Sequence, residues 1–260
     1  MNHEDKKTSF FQSIPPKTSF FFGMVTATAI LSVVGLIVLL PLSLRSSSNA
    51  KGAVAGAQAP TPTQQGTGGA KTATADISKV NIKDSRSFGN ANAPVVMAYW
   101  TDYQCPFCQR FDQQTLPTLI EQYVDKGKLR IVVKDFAFLG SDSTTAALAA
   151  RAVWEASPKS YLAWHEAVFV KQDGENSGWG NKDDIIELTK TIPGINADKV
   201  AKLMDQKKDE YQKAMDADKS EGSGFGVTGT PGFIVGTQLI SGAVPTADFT
   251  TAIEAELAKK

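Results

Sequence analysis

The chain has 260 residues, enough for one or two domains that each bury a hydrophobic core. Lys and Arg together number 27, as do Asp and Glu, so the formal net charge at pH 7 is zero. This balance argues against nucleic acid as the main partner, because phosphate binding normally requires an excess of basic residues. The two cysteines are also too few for the disulfide framework of a small secreted domain.

A charge-free segment of 25 residues, from Phe20 to Leu44, follows a short N-terminal tail over residues 1–19. A bilayer core of ~30 Å needs about 20 apolar helical residues. The apolar part of a cleaved signal peptide is shorter, roughly 7–15 residues. The pattern therefore predicts a transmembrane anchor and leaves open whether the anchor is later removed.

The basic residues around this segment predict its orientation. Three of them precede the segment and two follow it: Lys6, Lys7, Lys17, Arg45 and Lys51. Because basic residues favour the cytoplasmic side, this distribution predicts a cytoplasmic N-terminus. We therefore expect a single-pass protein of the cell membrane with an extracytoplasmic body.

Residues 45–77 are rich in Ala, Gly, Ser, Thr and Pro and contain no aromatic residue. Such a segment cannot bury enough apolar surface to offset the entropy lost on ordering, so it is predicted to be a flexible linker. The remaining residues, 78–260, are predicted to form one domain.

Two apolar segments of this domain, 93–101 and 128–138, are rich in β-branched and aromatic residues and are predicted to be buried strands. Between them, residues 107–127 have apolar side chains at near-helical spacing and end at Gly127. A break in this helix is predicted at Pro117. Strand, helix and strand together predict a βαβ unit with parallel strands.

A helical insertion is predicted after the second strand, over about residues 140–222. Its helices are expected at 142–157, 161–172, 181–192 and 196–222. Strand character returns at 232–236 and 238–244, close enough for a hairpin, and a last helix begins near Thr246. This order predicts an α/β domain of two layers with a helical insertion.

Both cysteines, Cys105 and Cys108, lie in the stretch YWTDYQCPFCQRF, directly after the first predicted strand. Cys105 is at the predicted start of a helix, where free N–H groups and the positive helix end stabilise a thiolate. Pro106 has no N–H to leave unpaired and suits the first helical position. Cys108 comes one turn later on the same face, within reach of a disulfide. The pattern predicts a redox pair in which Cys108 resolves mixed disulfides formed at Cys105.

Other uses of this pair fit the sequence less well. A structural zinc site needs four ligands, and the only histidines are His3 and His165. Covalent haem attachment requires histidine after the second cysteine, where the chain has Gln109. A purely stabilising disulfide is disfavoured because so short a loop constrains the unfolded chain least. His165 itself lies among apolar residues of a predicted helix and is expected to be a packing residue.

A second pattern, GVTGTPGFIVG at 226–236, places Thr230 and Pro231 directly before a predicted strand. An X-Pro bond is the kind at which a cis peptide costs little. Alone, a Thr-Pro pair is typical of an ordinary turn. In a chain that also carries a CxxC motif on a βαβ unit, the two patterns together are far more specific than the Thr-Pro pair alone.

The stretches TDYQCPFCQRF and GVTGTPGFIV, with the helical insertion, resemble the thioredoxin superfamily and within it the DsbA-like thiol–disulfide oxidoreductases. The resemblance covers roughly residues 80–260. It implies a thioredoxin-like fold, with Cys105 as the nucleophile and Cys108 as the resolving cysteine. The redox group would be the disulfide between them, with no other cofactor and no metal.

The resemblance also implies roles for four further residues. Pro106 and Phe107 stand at the two positions that tune the reduction potential. Thr230 and Pro231 match the cis-proline loop, which lies against the disulfide and pairs its backbone with substrate.

Two positions depart from the family pattern. DsbA itself has histidine where this chain has Phe107, so extreme oxidising power is in doubt. Many relatives carry a buried acid six residues before the first cysteine, where this chain has Tyr99. Asp102 is a candidate proton relay in its place, acting through water, although an exposed turn residue is the favoured interpretation.

The predicted function is that of a membrane-anchored, extracytoplasmic disulfide oxidase that acts on unfolded or partly folded exported proteins with cysteines. The resemblance implies a quinone-linked membrane partner that reoxidises the pair. Two alternatives stay open. One is a reductase or isomerase of the same fold, since motif spacing does not determine the direction of electron flow. The other is a Cu(I)-binding module that uses the two thiolates.

Overall fold

The structure, a computed structural model, describes residues 75–83 and 85–260. The predicted N-terminal tail, the predicted anchor at 20–44 and the linker up to residue 74 lie outside these ranges. Of the helices inside them, none combines the length and the apolar character needed to cross a bilayer. Ile77 opens a 3₁₀ turn over Ile77–Lys79 and donates its N–H to the carbonyl of Gly236 at 2.8 Å. Contact with the sheet therefore begins within the last residues of the predicted linker 45–77.

A five-stranded mixed sheet forms the centre of the domain, in the order β1-β3-β2-β4-β5. Its strands are β1 Ser87–Phe88, β2 Val95–Thr101, β3 Leu129–Asp135, β4 Gly232–Val235 and β5 Gln238–Ser241. β2 and β3 are parallel, which confirms the predicted βαβ unit. β4 is antiparallel to both β2 and β5, which confirms the predicted hairpin. β1, antiparallel to β3, was not predicted because two residues are too few to display an alternating pattern.

The helices surround this sheet on both faces. The α-helices are α1 Pro106–Gln114, α2 Leu116–Leu119, α3 Ser141–Ala156, α4 Tyr161–Lys171, α5 Lys182–Lys190, α6 Ala197–Gln206, α7 Lys208–Gly224 and α8 Thr246–Leu257. A π-helical segment, Ile120–Val124, continues α2, and a 3₁₀ turn, Pro158–Ser160, precedes α4. The predicted break at Pro117 is confirmed, since α1 ends at Gln114 and Pro117 lies in the first turn of α2. A proline is tolerated there because the first N–H groups of a helix have no intrahelical partner.

The prediction of one helix over 196–222 is wrong, because the chain forms α6 and α7 with a break at Lys207. Lys207 leaves helical geometry, with φ −111° and ψ 18°. α6 packs mainly on α3, whereas α7 packs on β3. A single straight helix could not bury its apolar residues against both elements, so tertiary packing overrides the continuous helical pattern.

Alternation along β2 divides the core into two parts. Met97 and Tyr99 point into the larger apolar cluster, which also contains residues of α1, α3, α4 and α8. Ala98 and Trp100 point to the opposite face, into a smaller cluster with Phe225 and other residues around the end of α7. Because both faces are covered, β2 is apolar at nearly every position.

A cluster of buried and partly buried charges fixes the helical insertion on the sheet. Asp135 at the end of β3 lies 2.7 Å from Arg86 and 2.7 Å from Arg151 of α3. Asp218 of α7 lies 2.6 Å from Lys134 of β3 and 2.6 Å from Arg151. Each charge has an opposite partner, which is the arrangement in which buried charges are tolerated.

We expect Gly222→Ala to destabilise the domain. An added Cβ at Gly222 would lie 2.6 Å from Nε1 of Trp100, a rigid indole that is fully buried and donates to the carbonyl of Asp218 at 2.9 Å. Overpacking of this kind costs about 1–3 kcal/mol of unfolding free energy. Chemical denaturation measures the loss.

Gly224→Ala is the matched control, two residues further along α7. Its added Cβ would meet nothing within 4 Å, so it should leave stability unchanged or raise it. Equal stability of the two variants would contradict the packing argument.

Candidate active site

Cys105 is the residue immediately before α1, in extended conformation with φ −79° and ψ 120°, and Pro106 is the first helical residue. The four residues after β2 form a turn, held by a hydrogen bond of 3.1 Å from the Cys105 N–H to the carbonyl of Asp102. This arrangement places the Cys105 sulfur at the N-terminus of α1, as predicted. Both cysteines are free thiols in the structure.

Hydrogen bonding lowers the pKa of Cys105 to about 6, and the largest cause is a hydrogen bond from the Cys108 side chain. Burial of the sulfur acts in the opposite direction. The backbone N–H groups of Cys108 and Phe107 contribute further to the lowering. At neutral pH the Cys105 sulfur is therefore mostly thiolate, the form that acts as a nucleophile.

Cys108 lies in the opposite environment. Its side chain is fully buried, and burial raises its pKa well above the usual value, with the nearby Cys105 as the next cause. Hydrogen bonding to the Asp102 backbone and to the Thr101 side chain acts in the opposite direction. Cys108 therefore remains a protonated thiol at a pH at which Cys105 is ionised.

The Thr230–Pro231 peptide bond is cis and leads directly into β4. The carbonyl oxygen of Thr230 is 3.3 Å from the Cys105 sulfur. β4 pairs with β2 from Met97↔Val235 to Trp100↔Gly232, and this pairing brings two motifs 125 residues apart into contact. The structure thus places Thr230 and Pro231 beside the cysteine pair, where the resemblance expected them.

Phe107, between the two cysteines, is half exposed, and its ring lies 5.1 Å from the guanidinium carbon of Arg110. It is therefore free to contact another molecule. Trp100 and Tyr103, the other aromatic residues near the motif, are buried in the core.

The interpretation of Asp102 as an exposed turn residue is wrong, because its side chain is only 1% exposed. One carboxylate oxygen accepts from the N–H of Gln104 at 2.9 Å and the hydroxyl of Ser143 at 2.6 Å. The other accepts from the N–H groups of Phe138 and Leu139 at 2.9 and 3.2 Å. Asp102 therefore joins the cysteine turn to the loop after β3 and to α3. Sequence reasoning missed this role because every donor except Gln104 is distant in the chain.

A buried carboxylate on α1, Asp112, was not singled out in the sequence. It is 4% exposed, and one oxygen accepts from the Tyr99 hydroxyl at 2.8 Å. The other oxygen lies 2.8 Å from Nε2 of His165. The signal that could have found it is its position four residues after Cys108, which places both side chains on the same buried face of the helix.

His165 is fully buried, as expected of a packing residue, and its ring contacts Phe88, Tyr103 and Phe169. It also has polar partners on both ring nitrogens, since Nδ1 lies 2.9 Å from the Tyr103 hydroxyl. Within the described ranges, no three His, Cys, Asp or Glu side chains converge as a metal site would require.

A family model described as thioredoxin matches residues 81–255. The chain belongs to the thioredoxin family. Disulfide bond formation protein D of Bacillus subtilis is 27% identical over 180 residues, which cover 69% of this chain and 80% of that protein. A probable disulfide bond formation protein D of Bacillus cereus is 28% identical over 137 residues, covering 52% of this chain and 63% of that protein.

The crystal structure of oxidised BdbD from Bacillus subtilis matches with a TM-score of 0.63 and 26% identity, over 68% of this chain and 95% of that one. These findings confirm the predicted thioredoxin-like α/β fold and the DsbA-like thiol–disulfide oxidoreductase class. The redox group of this class is the cysteine pair itself.

We expect alkylation of Cys105 by iodoacetamide to follow its thiolate fraction, with a midpoint near pH 6. Because the pKa is lowered, the thiolate is present above this pH and is lost as pH falls through it. Reaction should therefore be roughly tenfold slower at pH 5 than at pH 7. Mass spectrometry of the alkylated chain measures the rate at each sulfur.

Two variants of Cys108 test the cause of this shift. Cys108→Ala removes the largest contribution and should move the Cys105 midpoint to higher pH. Cys108→Ser keeps a hydrogen-bond donor and should move it less. An unchanged midpoint in Cys108→Ala would show that Cys108 does not stabilise the thiolate.

Asp102→Asn should destabilise the fold, because an amide NH₂ would replace one oxygen that now accepts two hydrogen bonds. Leaving buried donors unpaired costs about 1–3 kcal/mol. Thermal unfolding measures the loss. Full stability in this variant would mean that the loops do not depend on the carboxylate.

Proposed function

We propose that this chain is a membrane-anchored disulfide oxidase that introduces disulfide bonds into exported proteins. The observation that carries the proposal is the unequal ionisation of the two thiols, with Cys105 acidic and Cys108 held protonated. A stabilised thiolate lowers the free energy of the reduced form relative to the disulfide, so the pair becomes more oxidising. This is the property that an oxidase requires.

In the proposed reaction, a substrate thiolate attacks the Cys105 sulfur of the Cys105–Cys108 disulfide. A bond forms between the substrate sulfur and Cys105, the bond between the two cysteines breaks, and Cys108 leaves as a thiolate that takes up a proton. A second substrate thiolate then attacks the first substrate sulfur, which forms the substrate disulfide. Cys105 leaves as a thiolate, and its low pKa makes it a good leaving group. The substrate is oxidised by two electrons and the cysteine pair is reduced by two.

The surroundings of Cys105 suit an unfolded substrate chain. The Thr230 carbonyl beside the sulfur offers a backbone acceptor, and the half-exposed ring of Phe107 offers an apolar contact. Neither group selects a particular side chain. We therefore expect the substrates to be unfolded or partly folded exported proteins that share only their cysteines.

Localisation is proposed from residues outside the described ranges. The charge-free segment 20–44 would anchor the chain with its N-terminus in the cytoplasm, and the linker would let the domain reach emerging chains. Disulfides persist in extracytoplasmic compartments. The names of the Bacillus relatives, disulfide bond formation protein D, support the formation of disulfide bonds as the proposed reaction. Reoxidation of the pair is assigned to a quinone-linked membrane partner on the basis of the family resemblance.

The reduction potential of the pair tests the direction of electron flow. With a Cys105 pKa of about 6, we expect a potential between those of thioredoxin and DsbA, about −270 and −120 mV. Equilibration of the full-length chain in dithiol buffers of known potential gives the value. A potential at or below that of thioredoxin would instead support the reductase alternative.

Cysteine variants test the reaction itself. Since these are the only two cysteines in 260 residues, every thiol signal comes from the pair. Cys105→Ser should abolish oxidation of a reduced substrate protein. Cys108→Ala should accumulate mixed disulfides when the substrate protein is supplied with its disulfide formed, because the Cys105 thiolate attacks that disulfide, one substrate sulfur leaves as a thiolate, and no second cysteine releases the bond to Cys105. Activity retained in Cys105→Ser would refute the oxidase and the reductase together, and stoichiometric Cu(I) bound by the purified chain would then support a metal-binding module.

A further inference from the structure

A chain of buried hydroxyl groups leads from Cys108 to Asp112. Asp112 comes one turn after Cys108 on the same buried face of α1. Hydrogen bonding by the Thr101 side chain acts on the Cys108 thiol, whose pKa it lowers against the larger effect of burial. The Thr101 hydroxyl also donates to the Tyr99 hydroxyl at 2.9 Å. The Tyr99 hydroxyl in turn donates to a carboxylate oxygen of Asp112 at 2.8 Å. Both donated protons point away from the sulfur and towards the carboxylate.

This chain is closed to solvent. The side chains of Thr101, Tyr99 and Asp112 are between 0 and 4% exposed, and Cys108 is fully buried. A carboxylate in such a core costs considerable free energy unless it is paired. Asp112 has its partner in His165 of α4, whose Nε2 lies 2.8 Å from the second carboxylate oxygen. This contact is within ion-pair distance, and within the described chain neither of the two atoms makes a hydrogen bond.

From these contacts we propose that Asp112, paired with His165, takes up and returns the proton of Cys108 through the hydroxyls of Tyr99 and Thr101. The inference deepens the proposed function and rests on it, because thiol–disulfide exchange requires Cys108 to lose and regain a proton. It assigns the proton-accepting role to Asp112 of α1, whereas the sequence alone indicated only Asp102 as a candidate.

Each transfer balances. When Cys108 resolves a mixed disulfide, its proton moves to Thr101, the Thr101 proton to Tyr99 and the Tyr99 proton to Asp112. The resulting thiolate attacks the Cys105 sulfur, the bond from Cys105 to the substrate breaks, and the substrate leaves as a thiolate. In the oxidase direction, Cys108 is the leaving group and the same protons return. In either direction no charge has to cross the apolar core as a free ion.

Asp102 does not compete for this role. Its two carboxylate oxygens already accept four hydrogen bonds, from Gln104, Phe138, Leu139 and Ser143. The carboxylate therefore holds the surrounding loops and has no acceptor position left for the proton of Cys108. The hydroxyls of Thr101 and Tyr99, by contrast, lie between the buried sulfur and a carboxylate.

Other titratable groups face this path and have to be considered in any pH experiment. Cys105 faces Cys108 from the N-terminus of α1. On α4, burial raises the pKa values of Tyr161 and Glu166, and the charge of Asp112 adds to this effect. Tyr103 lies beyond His165, and its hydroxyl is 3.1 Å from that of Tyr161. The charges of Arg86 and Asp135 also act on Tyr103 and Tyr161.

The test isolates the step in which Cys108 attacks. The reduced full-length chain is mixed with the aromatic disulfide DTNB in a stopped-flow instrument. Cys105 releases one coloured thiolate as it forms a mixed disulfide, and Cys108 releases the second when it resolves this disulfide. Wild type is compared with Tyr99→Phe, Asp112→Asn and Asp112→Glu.

We expect Tyr99→Phe and Asp112→Asn to slow the second release by about tenfold or more, the range of a lost general base. Their second rate should also rise about tenfold per pH unit, because the thiolate then forms only by ionisation into solvent. Wild type should depend less on pH, and Asp112→Glu should restore part of this shallow profile. The first release, which depends on Cys105, should not change in any variant.

Tyr161→Phe is the matched control, since it removes a buried phenol hydroxyl of the same network on the side of His165 that faces away from Cys108. It should leave the second release unchanged. An equal slowing in Tyr161→Phe, or an unchanged second release in Tyr99→Phe, would overturn the proposal. If Asp112→Asn does not fold, Tyr99→Phe decides alone. A failure of the proposed oxidase function would be seen in a different measurement, because the wild-type chain would then not oxidise a reduced substrate protein.

Discussion

The difference in environment between two sulfurs three residues apart is the constraint on which this site depends. Hydrogen bonds from Cys108 and from the first turn of α1 lower the pKa of Cys105, so its thiolate is stabilised. Cys108 lies behind it in the core, where burial favours the thiol. One turn of helix is enough to produce this asymmetry, because its N-terminus faces the loops and its next turn faces the sheet. In thiol–disulfide exchange the ionised sulfur is ready to attack, whereas the protonated one must lose its proton before it can resolve a mixed disulfide.

The rest of the domain keeps these surroundings in place. Pairing of β4 with β2 brings Thr230 to Cys105, and the Asp102 carboxylate ties the cysteine turn to the loop after β3. The helical insertion is part of the site and not an addition to it, since α3 provides a hydroxyl to Asp102 and α4 provides His165 to Asp112. Partly buried ion pairs of Arg151 with Asp135 and Asp218 then hold this insertion against the sheet. The insertion therefore has to be docked before the buried polar groups around Cys108 are complete.

Sequence patterns predicted the long elements and their pairing well, because burial on both faces of β2 and the chemistry of Pro117 are local signals. They failed where packing decides. The break at Lys207 follows from two helices docking on different elements, and the two-residue β1 exists only because β3 offers it an edge. Asp102 follows a strand in a polar turn, which is typical of an exposed residue, yet its donors from the loop after β3 and from α3 bury it.

The sequence by itself determined the redox pair, since only two cysteines occur and their spacing, the following proline and the distant Thr-Pro together indicate thiol–disulfide exchange. It could not determine which carboxylate belongs to the site. Tyr99 and Asp112 are 13 residues apart on different elements, and His165 is on the insertion, so their contacts arise only when α1 and α4 pack on the sheet. Residue type reveals what a side chain can donate or accept, but its partner and its solvation depend on which elements meet in the folded core.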